Sequence, residues 1–119
     1  MQLPGLIVPL VTPFTSDDVI DALAIRRLVE YVAREGAEGL MPTAVTGEGL
    51  LLSDTETLAV WDAVFAAANG LPVVPAIIRT TTRDAVELVR QAERRGAAAV
   101  IPKTAQAIST IESRLNQPA

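Results

Sequence analysis

Val45-Thr46-Gly47-Glu48 sets a hydroxyl, a glycine and a carboxylate side by side, directly after a short apolar run. Glycine-rich turns at the C-terminal ends of strands expose backbone N–H groups, and a neighbouring hydroxyl adds another donor. The chemistry this predicts is the grip of a small carboxylate, with Thr46 as donor and Gly47 allowing close approach of the backbone. The plainer alternative is an ordinary turn between a strand and a helix. Arg79 follows the third apolar run and is a second candidate carboxylate partner; a surface arginine flanking a turn is its plainer reading. Lys103 is the only lysine and falls near the end of the fourth run. A lysine desolvated there could form a Schiff base, whereas a solvated lysine at a strand end is the simpler expectation. Asp17-Asp18 reads as a solvated loop, and Glu30, Glu35, Glu87 and Glu93 as a solvated helix face. Trp61 lies in an apolar helical stripe and reads as packing.

Other chemistries are closed off by composition. There is no histidine, hence no imidazole base or ligand, and no cysteine, hence neither thiolate chemistry nor disulfides. No metal site is expected. The net charge of −4 comes without a basic cluster, which argues against nucleic acid as a partner. No apolar run reaches the ~18 residues of a membrane span, and no leader-like N-terminus is evident, so the expectation is a cytoplasmic protein without a membrane partner. Half of the residues are hydrophobic, so part of the apolar surface is expected to be covered by another subunit. Aromatics make up 3%, which predicts an aliphatic core.

The elements that must position these residues alternate regularly. Apolar runs at 6–11, 39–41, 72–78 and 97–101 read as strands. Amphipathic stretches between them read as helices. Asp21, Ser53 (with Glu56 as a capping box) and Thr81 or Thr82 are the expected N-caps, and Gly36, Asn69-Gly70 and Gly96 the expected stops. The inward stripes are Ile25, Leu28, Val29 and Val32; Leu58, Trp61, Val64, Phe65 and Ala68; and Ala85, Val86, Leu88, Val89 and Ala92. Ile108, Ile111 and Leu115 suggest a weaker fourth helix. Continuously apolar strands joined by helices mean a parallel sheet covered by helices. The chain thus reads as one α/β domain over 1–119, and the pattern alone does not choose between an open doubly wound sheet and part of a barrel. The glycine fingerprint of a dinucleotide site is absent after the first run.

Gly5-Leu6-Ile7-Val8-Pro9-Leu10-Val11-Thr12-Pro13-Phe14, Gly36-Ala37-Glu38-Gly39-Leu40, Val45-Thr46-Gly47-Glu48, Leu52-Ser53-Asp54-Thr55-Glu56, Pro72-Val73-Val74-Pro75-Ala76 and Ala92-Glu93-Arg94-Arg95-Gly96-Ala97 follow one another in an order and spacing that resemble the dihydrodipicolinate synthase and N-acetylneuraminate lyase family over about 4–101. The resemblance implies a TIM-barrel-like (βα) half-barrel of about four parallel strands with covering helices, since a complete barrel takes about 250 residues. It implies carbon–carbon lyase or synthase chemistry on pyruvate or another 2-oxo acid, held as a lysine imine with no metal or organic cofactor. It also implies that Thr46, Gly47 and the position of Val45 contact the substrate carboxylate, that Thr12 is a further possible contact, and that Glu48 is structural. The family's motif begins with glycine and two hydroxyl residues, where this chain has Ala44, Val45 and Thr46. A valine cannot relay protons. The family's Pro-Tyr-Tyr stretch is Pro102-Lys103-Thr104 here. Its imine-forming lysine lies on the sixth strand and its main tyrosine after the fifth, and nothing in this chain matches either. The expectation is a shortened aldolase-family member inactive alone, with two alternatives. One is a non-catalytic carboxylate binder or assembly partner; the other is a self-assembled half-barrel using Lys103. Open sheet edges predict a homo-oligomer.

Overall fold

The structure, a computed structural model, describes residues 5–104. Four short strands and three helices alternate along it: β1 (Ile7–Pro9), α1 (Ala22–Arg34), β2 (Gly39–Met41), α2 (Asp54–Ala67), β3 (Ala76–Arg79), α3 (Thr82–Arg94) and β4 (Ile101–Thr104). The expected helix at 104–115 lies outside the described residues beyond Thr104, which itself closes β4.

The helices begin and end where the side chains can satisfy the free backbone groups. Asp21 accepts from the Ala24 amide, Thr81 from the Asp84 amide, and Ser53 and Glu56 form a reciprocal capping box. Past α1 and α3 the chain leaves through Gly36 (φ +105°) and Gly96 (φ +83°), a left-handed conformation that glycine adopts without a Cβ penalty.

Each strand pairs in parallel with its neighbour in sequence. Ile7 stands opposite Gly39 and Pro9 opposite Met41; Ala76 stands opposite Ile101 and Arg79 opposite Thr104. The two pairs join through the parallel bridge Leu40–Val73 and the bonds Leu40 N–H to Pro72 O (2.9 Å) and Val74 N–H to Leu40 O (2.8 Å). Leu40 and Ile77 from the strands and Val73 ahead of β3 pack in one cluster with Ile25 and Val29 of α1, Trp61 and Val64 of α2, and Leu88 of α3. All three helices therefore cover the same face of the sheet. That resolves the ambiguity of the sequence: a doubly wound sheet would distribute them over both faces, whereas consecutive units of a (β/α) barrel place them all outside.

Several expectations are corrected. β3 begins at Ala76 rather than Pro72, and β4 at Ile101 rather than Ala97. Val73 and Val74 are fully buried, but Pro72 and Pro75 on either side carry no N–H for a continuous ladder. Ala97 and Val100 pack against the helix-side cluster, as does Leu10. Val86 is 40% exposed and outside the core, one helical step of ~100° from the buried Ala85. The core is aliphatic around one indole, because Trp61 is its largest fully buried side chain.

Prolines occur within the strands where their missing donor does least harm. The Leu10 amide bonds inward to Met41 O and the Ile101 amide inward to Pro75 O. Donors alternate sides along a strand, so the absent N–H groups of Pro9 and Pro102 belong to the two outer edges.

Candidate functional site

The residues singled out by the sequence gather at one end of the sheet, around the segment 43–52 that joins β2 to α2. Two overlapping turns shape it: Gly47 N–H bonds to Ala44 O (3.1 Å), Glu48 N–H to Val45 O (3.0 Å) and Gly49 N–H to Ala44 O (3.0 Å). A 3₁₀ turn, Gly49–Leu51, carries the chain to the cap of α2.

The segment is braced from three sides. From the segment that follows β1, the Thr12 hydroxyl donates to Gly47 O at 2.6 Å, and a Cβ on Gly47 would come within 2.7 Å of Leu10 O. Gly47 is therefore required by the close approach of the Leu10–Thr12 segment after β1; its own N–H is spent within the turn. From below, Thr43 is buried with φ +60°. Its Oγ1 accepts from Trp61 Nε1 (3.0 Å) and lies 2.7 Å from both Ala76 O and Pro42 O, with one hydrogen to donate between them. A Cβ on Gly49 would overlap the Thr43 carbonyl. From β3, Arg79 reaches across with all five of its N–H groups. Nε and Nη2 bond Asp54 (3.2 and 3.0 Å), Nη1 bonds Gly49 O (3.0 Å) and Ile78 O (2.8 Å), and Nη2 also bonds Thr57 Oγ1 (3.0 Å). A guanidinium has five donors, so none remains for a substrate. Arg79 staples the turn to β3 and to the start of α2. Thr12 likewise spends its one hydroxyl hydrogen on the turn.

What this bracing leaves free is specific. Val45 is 77% exposed and Thr46 is exposed. Neither of their amides, nor the Thr46 hydroxyl, has a hydrogen-bond partner among the described residues. Three donors without acceptors at the ends of parallel strands can receive an anion. Glu48 is exposed and its carboxylate makes no hydrogen bond among the described residues, so its structural part is played by its backbone, which takes the left-handed conformation (φ +58°) that enters the 3₁₀ turn. Beside the free donors lies a cavity of about 220 Å³ lined by Val45, Glu48, Gly49, Leu50, Leu51 and Ile78. Lys103 is exposed on β4, paired in register with Ile78, and so lies on the same face of the sheet. A larger hollow of about 540 Å³ between α1 and α2 is lined by Ala22, Arg26, Glu30, Ala63, Ala66, Ala67 and Asn69. Its charged groups, Arg26 and Glu30, pair with each other at 3.0 Å.

The sequence did not single out Thr43. The signal was indirect: a buried indole N–H needs an acceptor, and Trp61 had none in its own stripe. Asp17 and Asp18 are exposed, as expected, and Glu30 and Glu87 pair with Arg26 and Arg90 on the helix surfaces. Among the described residues no cluster of metal-ligating side chains occurs, and no helix is long and apolar enough to cross a membrane.

Comparison with known proteins follows the same outline. The chain is 43% identical over 100 residues to a 4-hydroxy-tetrahydrodipicolinate synthase of Chlorobium chlorochromatii, an overlap of 83% of this chain and 34% of that protein. Dihydrodipicolinate synthase from Rhodopseudomonas palustris superposes with a TM-score of 0.77 at 28% identity, over 82% of this chain and 33% of that one. The N-acetylneuraminate lyase of Proteus mirabilis superposes with a TM-score of 0.80 at 26% identity, over 86% and 35%. The chain thus spans about a third of the length of the relatives it matches. The sequence model of the dihydrodipicolinate synthetase family matches residues 2–104, and the chain belongs to that family.

Proposed function

We propose that this chain supplies the carboxylate grip of a class I aldolase or synthase acting on pyruvate or a related 2-oxo acid, and that by itself it binds such an acid without turning it over. The observation that carries this is the selective freedom of Val45 and Thr46: around them every donor of Arg79, Thr12 and Trp61 is spent, while two amides and one hydroxyl stay open. Their place in the turn is the one the relatives devote to a substrate carboxylate, by the resemblance of Val45-Thr46-Gly47-Glu48. Turnover requires an activated nucleophile with a proton-transfer group beside it. No residue here matches the family's lysine or tyrosine, and Val45 replaces a relay hydroxyl. The imine route calls for no metal or organic cofactor, and a cytoplasmic setting suits it.

The test is a titration of the ¹⁵N-labelled chain with pyruvate. Millimolar binding that shifts the Val45 and Thr46 amides, and that weakens at least several-fold in Thr46→Val, supports the reading. Unmoved amides at these positions refute it. Borohydride added with pyruvate should leave the chain unmodified. Covalent trapping at Lys103 would favour the other reading, an imine formed on the face shared with Ile78. For partners, a second copy docking at the outer edges of β1 and β4 is the candidate, and sedimentation against concentration decides it.

A further inference from the structure

The open donors of Val45 and Thr46 do not stand beside polar surface. The cavity beside them is lined by Val45, Glu48, Gly49, Leu50, Leu51 and Ile78, and its lining surface is almost wholly apolar. Leu50 and Leu51 are 53% and 77% exposed, so this apolar surface is presented outward rather than spent on the core. Pyruvate has a single methyl group to offer such a wall. From this juxtaposition we infer that the site takes a 2-oxo acid with a short branched alkyl chain, its carboxylate on the Val45 and Thr46 amides and the Thr46 hydroxyl, its alkyl end against Leu50, Leu51 and Ile78. The inference rests on the carboxylate grip proposed above and adds the substrate class.

Size and charge limit the ligand further. At about 220 Å³ the cavity is smaller than the roughly 300–1,000 Å³ of ordinary small-molecule pockets. It therefore suits an alkyl chain of a few carbons. Hydroxyls along the chain would lose their water partners against the aliphatic walls. The lining is almost wholly apolar, so a second acidic group at the far end would be buried without a partner. Lys103, in register with Ile78, puts a cation on the same face, which favours a monoanion overall.

The probes are 4-methyl-2-oxopentanoate and pyruvate, titrated into the ¹⁵N-labelled 119-residue chain, with Leu51→Ser as the variant. Leu51 is 77% exposed, so its replacement does not disturb the core. The branched acid has three more carbons than pyruvate. At about 0.8 kcal/mol per fully buried CH₂ and with roughly half of that realised in an open pocket, it should bind about tenfold tighter. Leu51→Ser should bring the ratio below about threefold on the same scale. Both acids should shift the Thr46 amide, and only the branched one the Leu51 and Ile78 signals. Pyruvate binding as tightly as the branched acid would overturn the alkyl pocket and leave the carboxylate grip standing. A preference that survives Leu51→Ser would overturn it equally, since the chain would then lie elsewhere. Failure of both acids to move Thr46 would sink the grip and this inference together.

Discussion

Arg79→Ala removes the staple between the turn, β3 and α2 in a single step, and its cost follows from the partners left behind. The ion pair with Asp54 is the lesser part: Asp54 is 62% exposed, and such pairs contribute about 0.2–1 kcal/mol. The larger part is Gly49 O and Thr57 Oγ1, acceptors on buried residues that lose a charged donor. Each costs about 1–3 kcal/mol if left unmet. The Arg79 side chain is 11% exposed, so water can enter from that edge and recover part of the loss. The expected destabilisation is about 2–3 kcal/mol, and a drop in the melting temperature on the order of 10 °C for a chain of this size. Trp61, fully buried and bonded to Thr43 beneath the same turn, provides the fluorescence signal for urea unfolding. Asp54→Asn tests the ion pair separately and should cost less than about 1 kcal/mol. Arg79→Lys keeps the charge but not the planar fork, and should recover less than half of the loss. If Arg79→Ala lies within about 0.5 kcal/mol of the parent, or if Asp54→Asn costs as much as Arg79→Ala, the staple does not hold the turn.

Gly49→Ala drives a Cβ into the Thr43 carbonyl; the circular-dichroism melt should show loss of more than about 3 kcal/mol or no cooperative fold. Thr43→Val strands the Trp61 N–H and should cost about 2 kcal/mol, whereas Thr43→Ser keeps the acceptor and should stay within about 1 kcal/mol, both read as shifts in the urea midpoint. Ser53→Ala breaks the capping box of α2 and should cost about 1 kcal/mol by the same measurement.

The helices were legible because their signals are local. Asp21, Ser53 and Thr81 each meet an amide three residues ahead, and Gly36 and Gly96 stop the chain whatever surrounds it. The strands were legible as buried segments and less so as ladders. Hydrophobicity reports that Val73 and Val74 are enclosed; it does not report that the continuous ladder waits for Ala76, past Pro75. The site divides the same way. The turn at Val45–Gly47 was legible from residue types at close spacing. The duty of Arg79 was not, since it depends on acceptors 25 and 30 positions away, at Asp54 and Gly49. Thr43 was hidden for a similar reason: its donor, Trp61, is 18 positions distant and its other partner, the Ala76 carbonyl, 33.

Because β1 meets β2 next along the chain and β3 meets β4, the sheet can form in the order in which its residues are made. No strand waits for a distant segment to be inserted between itself and its predecessor, and each added helix lands on the face already covered. Loop closures of this modest and uniform length lower the entropic barrier to pairing. Pulse-labelled hydrogen exchange during refolding should therefore show the amides that bond β1 to β2 and β3 to β4 gaining protection in separate local steps. The crossing bonds from Leu40 to Pro72 and from Val74 to Leu40 should follow, as the seam that makes two pairs into one sheet.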